Sequence, residues 1–490
     1  MRRASRTIAA AGLATAMVLM AAAGSSAAQP RRGRRDGTVV TIGHNAGRTV
    51  PRSFLGLATE YDSVPLYGRD PRLLGRVLSL VRPTDGSPLL LRIVGLSADD
   101  SLWAPALTAA LPAKARALTP ADLAGIAALV RAEHLRVILD LNLAADVPAQ
   151  EAALAAAAER ALPRGSIEAF EIGNEPDYYR VALRADPAYY PTSYSPTLYA
   201  ARFLSYASAL HHTVPGVMLA GPALANPVAD FGYLSDLVGA ARGQVGMLTV
   251  HRYALSACAP PASPLYPTIT RLLRASSSIG LADTLSRSVA LAHANHMSIR
   301  WDELNSVTCG GSLGVSDSFA SALWATDTLF AALRQGVDGV NVQMRPTALN
   351  APFYLTTAGV QARPLLYGLV LFNHALGRHA HLLDTRLTGS ATGGLSAWAV
   401  HTQHRLNVVL LNKGTSARTV FIRGPRTATA TITRLLASSI WTESHVTFAG
   451  RHIDSAGRWA GRYNAVRQRR GPGGYRISLP PFSGTMVSFA

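Results

Sequence analysis

Two short stretches of the chain set carboxylates beside residues that can position them. Residues 171–177 read EIGNEPD, with Asn174 directly before Glu175 and Pro176 directly after it. Residues 298–306 read SIRWDELNS, with Glu303 following Asp302. Both contain or follow apolar runs of strand character, so each carboxylate stands where a buried strand is expected to end. Two carboxylates facing each other across a pocket can hydrolyse a glycosidic bond. One protonates the departing oxygen while the other attacks the anomeric carbon or activates water, and a separation of ~5 Å goes with a retaining double displacement. An ionised Glu303 would raise the pKa of Glu175 by repulsion and keep it protonated. Taken singly, Glu175 also reads as a capped strand end and Glu303 as a surface or salt-bridged acid. The pair carries the argument, and it requires a scaffold that brings the two segments together.

The pattern of elements predicts such a scaffold. From about residue 53 to 344, strand-like runs alternate with Ala/Leu-rich helical stretches. The candidate strands are Phe54–Glu60, Leu89–Val94, Val137–Leu143, Ile167–Ile172, Val217–Ala220, Met247–Tyr253, Ile299–Leu304 and Val340–Gln343. Thr119-Pro120-Ala121-Asp122 carries an N-cap, a Pro at N1 and an acid at N3, opening a helix to about His134. Ser316 to Arg334 shows an apolar face at helical spacing. Eight strands separated by helices predict an α/β fold, a (β/α)8 TIM barrel over residues 51–380. A doubly wound open sheet is the competing arrangement, but no Gly-rich phosphate loop follows the first strand. In a barrel the chemistry sits at the C-terminal strand ends. Strands four and seven, which carry Glu175 and Glu303, then face each other across the mouth, and strand six ends His251-Arg252-Tyr253.

After about residue 385 the segments become short, alternating and turn-bounded, which predicts a C-terminal β-sandwich over residues 381–490. The run Thr38-Val39-Val40-Thr41-Ile42, within a lead-in at 29–50, is placed to join that sheet. Residues 1–28 have a basic start, an Ala-rich apolar run and a small-residue end near Ala28, the pattern of a secretory signal peptide. A membrane anchor is the alternative, but the run is short for a bilayer span. The expected mature protein is soluble and secreted, with no membrane insertion.

The formal net charge is +18, nearly all of it from arginine, since Lys114 and Lys413 are the only lysines. Runs at 31–35 and 467–470 favour long-range attraction to acidic polysaccharides, set against a merely Arg-biased solvated surface. No nucleic-acid-binding motif accompanies the charge. The pairs His293/His296 and His211/His212 lack a third ligand at metal-site spacing, so no metal and no cofactor is expected. No Ser nucleophile elbow is present either.

These residues resemble the retaining (β/α)8 glycosidases of clan A: Asn-Glu-Pro after strand four, His-x-Tyr after strand six, Glu on strand seven. Phe54-Leu55-Gly56 leading to Glu60, LRIVGLSAD from Leu91 to Asp99, EIGNEPD, HRY, ELNSVTCGG and ALWATDTLF narrow the resemblance to glycoside hydrolase family 79. That family contains β-glucuronidases and heparanase-like enzymes, and the resemblance covers barrel and sandwich alike. It implies Glu175 as acid/base and Glu303 as nucleophile. It further implies Asn174 on the sugar 2-OH, Tyr253 orienting the nucleophile, and Glu60 and Asp99 on sugar hydroxyls. Where the family holds the uronate with a Tyr hydroxyl and Gly-rich main-chain amides, this chain has Thr308, with Gly310 and Gly311 still able to offer amides. The only two cysteines, Cys258 and Cys309, follow neighbouring strands and are expected to form a disulfide pinning this loop. The reading is a secreted retaining β-glycosidase acting on β-glucuronides. The alternatives are a clan A exo-β-glycosidase for a neutral sugar and a non-catalytic carbohydrate-binding barrel.

Overall fold

The computed structural model describes residues 37–43, 47–105, 115–179 and 194–490. The expected signal peptide, the Arg31–Arg35 run and half of the lead-in at 29–50 lie outside them. Among the described residues, no helix is long and apolar enough to cross a membrane.

Eight parallel strands close into a barrel in sequence order: Leu55–Glu60, Leu90–Val94, Arg136–Leu141, Ile167–Ile172, Leu219–Leu224, Met247–Ser256, Ser298–Thr308 and Gly339–Gln343. Strands buried on both faces read as continuous apolar runs rather than alternating ones, which is why seven of the eight are plain in the sequence. The fifth is less so, because it runs through Pro222 to Leu224 and Pro lacks the amide that a ladder needs. The ladder accommodates it at an irregularity opposite Leu248 and Val250.

The helices form where their signals predict. Thr119 and Asp122 make a reciprocal capping box on Pro120–Glu133, and His134 ends it in the left-handed conformation. Helix Phe319–Gln335 is buried on almost every side. A helix apolar all round must be covered on both flanks, here by the barrel and by the sandwich.

The sandwich has a four-stranded sheet packed on a larger antiparallel sheet. Strand Thr38–Ile42 runs inside the four-stranded sheet, antiparallel to Thr385–Thr388 and parallel to Arg418–Arg423. Val40 and Ile42 enter the sandwich core with Val420, Ile422, Tyr475 and Val487. The larger sheet turns its other face to the barrel helices, where Trp398, Val409 and Met486 join the barrel's own core. Asp327 fixes this junction. Its carboxylate accepts from Lys413 Nζ at 2.6 Å, Trp398 Nε1 at 2.9 Å and Ser278 Oγ at 2.7 Å.

Inside the barrel, side chains stack in layers set by the two-residue period of a strand. Leu90, Ile138, Ala169, Ala220 and Met247 form an apolar plug. Two residues further along the same strands stand Arg92, Asp140, Glu171 and Thr249, all buried. The candidate site lies one layer above.

Candidate active site

A cavity of about 490 Å³ opens at the C-terminal mouth of the barrel. Among its lining residues are Glu60, Asn174, Glu175, Tyr253, Glu303, Thr308 and Gly310, with Cys258 and Cys309 at the rim. The structure thus gathers most of the residues singled out from sequence into one pocket.

Glu303 does not end its strand, which continues to Thr308. The register explains how it nevertheless reaches the pocket. Trp301 pairs with Val340 and Leu304 with Val342, so strand seven carries one extra residue at Asp302–Glu303. Such a bulge re-aims side chains. Asp302 and Glu303, although consecutive, both reach Arg92 in the barrel interior. Glu303 Oε1 accepts from the Tyr253 hydroxyl at 2.7 Å, and Oε2 from Arg92 at 3.3 Å and Gln343 at 3.4 Å. Burial, reinforced by the Glu303 charge, pushes the Tyr253 hydroxyl well above its usual range, so it remains a donor.

Glu175 sits at φ 52°, a left-handed conformation that a residue with a Cβ adopts at a cost. Strain of this kind persists where the surroundings over-determine it, commonly at functional sites. Its amide donates to Ala223 at 3.0 Å, and its Oε1 lies 3.0 Å from His251 Nδ1. Oxygens of Glu175 and Glu303 come within 4.8 Å of each other, with a His251 ring nitrogen inside the same span. Two carboxylates and an imidazole so close could hold a cation. Here the Arg92 guanidinium already supplies positive charge 3.3 Å from Glu303.

Beneath the pocket, Arg92 Nε lies 2.7 Å from Glu171 and 2.8 Å from Asp302, all three fully buried. Burial raises the Asp302 carboxyl well above the usual range, aided by the neighbouring Glu171 charge. Burial would raise Glu171 too, but Arg92 outweighs it and holds Glu171 low, with Asp302 and Thr249 hydrogen-bonded to it. These directions make Asp302 the favoured site of a proton shared between the two acids. His251 bridges this pair to Glu175, its Nε2 being 3.6 Å from Asp302. Asn174 is oriented from below as well, its Oδ1 accepting from Arg92 at 3.3 Å.

Glu60 accepts the Ser97 amide at 3.0 Å and faces Arg345 at 3.6 Å. Burial raises its pKa, against the pull of Arg345. Gly95 permits the approach, since a Cβ there would sit 2.9 Å from the Glu60 carboxyl carbon. Asp99 departs from its expected place: it is fully buried, takes the Tyr179 hydroxyl at 2.7 and 2.8 Å, and does not line the cavity. Its strand ends at Val94, and a helical turn at Leu96–Asp99 rotates it inward. Gly311 is also absent from the lining, and its amide donates to the Thr308 carbonyl at 3.3 Å. Thr308 Oγ1 donates to Ser256 Oγ at 2.8 Å. Cys258 and Cys309 are disulfide-bonded, with Cα atoms 6.1 Å apart.

Sequence reasoning passed over Arg92, Gln343 and Arg345 as site residues. Gln343 ends the eighth strand and Arg345 lies two residues beyond it, so the rule that strand ends carry the chemistry would have found them. Arg92 lies inside a strand, and only the layer geometry reveals it.

No protein-family profile matches the chain, and no curated protein matches it in sequence. Solved structures do match along nearly its whole length. A 4-O-α-L-rhamnosyl-β-D-glucuronidase from Fusarium oxysporum 12S superposes with a TM-score of 0.76 at 18% identity, covering 92% of this chain and 100% of that one. A GH51 arabinofuranosidase from Xanthomonas axonopodis pv. citri gives 0.65 at 15%, covering 93% and 99%. A GH30 endoxylanase from Clostridium papyrosolvens C71 gives 0.55 at 12%, covering 92% and 99%. The chain therefore shares its fold with these solved structures.

Proposed function

We propose that this chain is a secreted retaining β-glycosidase that hydrolyses β-glucuronides. The observation that carries the reading is the approach of Glu175 and Glu303 oxygens to within 4.8 Å across the pocket. That span suits a double displacement, which needs ~5 Å, and leaves too little room for the ordered water of an inverting enzyme. Glu303 attacks the anomeric carbon while Glu175 gives its proton to the departing oxygen. Tyr253, Arg92 and Gln343 hold the attacking carboxylate in place. Once Glu303 is esterified its charge is gone, and Glu175 ionises and takes a proton from the incoming water. Asn174 is placed to meet the 2-OH and Glu60 a further hydroxyl.

The uronate preference rests on the resemblance and on Arg345. Among the described residues, Arg345 is the one arginine that lines the cavity, and its side chain is 44% exposed. Guanidinium forks match carboxylates well. A neutral-sugar substrate is the second reading, favoured because Thr308 bonds Ser256 and the Gly311 amide is used within its own turn. A panel of aryl β-glucuronide, β-glucoside, β-xyloside, β-galactoside and α-L-arabinofuranoside decides between them. Selective cleavage of the glucuronide, lost in Arg345→Gln, supports the first reading. Preference for a neutral glycoside supports the second. Sugar binding without turnover of any substrate would overturn both.

A further inference from the structure

The positive charge of this protein is unevenly placed. Residues 381–490 contain thirteen arginines and only three acids, Asp384, Glu443 and Asp454. Among the described residues none of these arginines is ion-paired, and the only paired cation of the segment is buried Lys413. A solvated surface of mixed sign would pair many of them.

The four-stranded sheet organises part of this charge. Its inner face packs into the sandwich core through Val40, Val420, Ile422 and Ile477. The larger sheet separates it from the barrel, so its outer face is the side of the sandwich turned away from the barrel. Register places the outward residues. Thr41 pairs with Arg386 on one side and with Arg423 on the other, and Phe421 on the next row pairs with Arg476. All three arginines are exposed. Neighbouring strands are ~4.8 Å apart, which spaces Arg386 and Arg423 by roughly 10 Å across Thr41. The remaining outward positions are hydroxyls, one half-buried aliphatic and one half-buried aromatic: Thr388, Thr419, Ser478, Val39 and Phe421. The Arg423 guanidinium lies 5.9 Å from the Phe421 ring centroid. No carboxylate belongs to any strand of this sheet.

We propose that this face binds an anionic polysaccharide, a glycan chain carrying carboxylates or sulfates, at a place separate from the barrel pocket. Arginines spaced along a sheet face whose strands carry no acid suit a polymer with regularly repeated anions. The hydroxyls and the Phe421 ring add what a sugar backbone recognises, whereas a bare phosphate backbone would need only charge. The inference does not depend on which sugar the pocket cleaves.

The probe is polygalacturonate, whose α-linked units do not fit the proposed β-glucuronide chemistry of the pocket. Binding to the full chain is measured by titration across a range of salt concentrations. Wild type is expected to bind with an affinity that falls steeply with salt, and neutral xylan should not compete. The triple variant Arg386→Gln/Arg423→Gln/Arg476→Gln should bind roughly tenfold or more weakly with a flatter salt dependence. A control triple, Arg72→Gln/Arg131→Gln/Arg160→Gln, removes the same charge from the barrel surface and should retain near-wild-type binding. Aryl-glycoside turnover and the unfolding midpoint should match wild type in both variants, showing that the fold is intact. Equal losses in the two triples would reduce the effect to net charge and overturn the proposal. So would undiminished binding in the first triple, or duplex DNA binding more tightly through the same three arginines. If polygalacturonate binds as expected while no glucuronide is cleaved, the surface stands and the proposed activity falls.

Discussion

Glu303 and Glu175 are distinguished by their neighbours. Glu303 is held by three donors, Tyr253, Arg92 and Gln343, as suits a carboxylate that must stay ionised and aimed. Glu175 Oε1 lies 3.0 Å from His251 Nδ1, a ring nitrogen that can accept or donate. Glu303→Ala should therefore abolish turnover, and azide should restore part of it, with the azide product on the opposite anomeric face. Glu175→Ala should slow poor leaving groups far more than activated aryl ones, because only the former need the proton. Equal losses for both leaving-group classes would sink the assignment. The buried pair below permits a sharper comparison. With the shared proton on Asp302, Asp302→Asn replaces one neutral group by another and should cost within about 1 kcal/mol. Glu171→Gln removes the nearer of the two ionised partners of Arg92, leaving Glu303 at 3.3 Å, and should cost roughly 3 kcal/mol, since the buried charge is then only partly compensated. Urea unfolding of the two variants checks the order, and a larger loss in Asp302→Asn would reverse the proton's location.

At the scale of elements, strands six and seven outgrow the barrel. Leu255 still pairs with Val307 and Ser256 with Thr308, making a two-stranded ribbon beside the pocket that the Cys258–Cys309 bond closes. Replacing both cysteines by Ser should lower stability by about 2–4 kcal/mol. It should also raise KM more than it lowers kcat, because the ribbon shapes the rim and not the carboxylate pair. Unchanged KM with unchanged stability would show that the ribbon holds itself. This ribbon also marks where the sequence stops being legible. The strands of the barrel show because burial on both faces makes them continuously apolar. The extension carries Ser256, Asn305, Ser306 and Thr308, which read as loop, and the pairing of the two segments is a property of two strands together. The bulge at Asp302–Glu303 is hidden for the same reason. Glu175 and Glu303 could be found from type and strand order alone, whereas the inward turn of Asp99 and the depth of Arg92 depend on register and layer.

Across the whole molecule, the buried acids tie stability to pH in one direction. Glu151, in helix Pro148–Ala161, is raised from 4.5 to about 8 by burial, only partly offset by the Asn142 amide it accepts. Asp177 is raised from 3.8 to about 6, chiefly by burial, although it accepts the amides of Ala225 and Asn226. A carboxyl whose folded pKa lies above its unfolded value binds more protons in the native state throughout the interval between them. Stability then falls as pH rises through that interval. The windows are 4.5 to about 8 for Glu151 and 3.8 to about 6 for Asp177. At ~1.4 kcal/mol per pKa unit the two together amount to several kcal/mol. Glu171 works in the opposite sense, but its lowered pKa matters only on the acid side of the ordinary carboxylate range. The urea midpoint should accordingly be higher at pH 5 than at pH 8. Glu151→Gln keeps an acceptor for the Asn142 amide while removing the charge, so it should flatten the decline and gain most at pH 8. A midpoint that instead rises between pH 5 and pH 8 would mean that Glu151 is ionised in the native protein and has a partner to stabilise it.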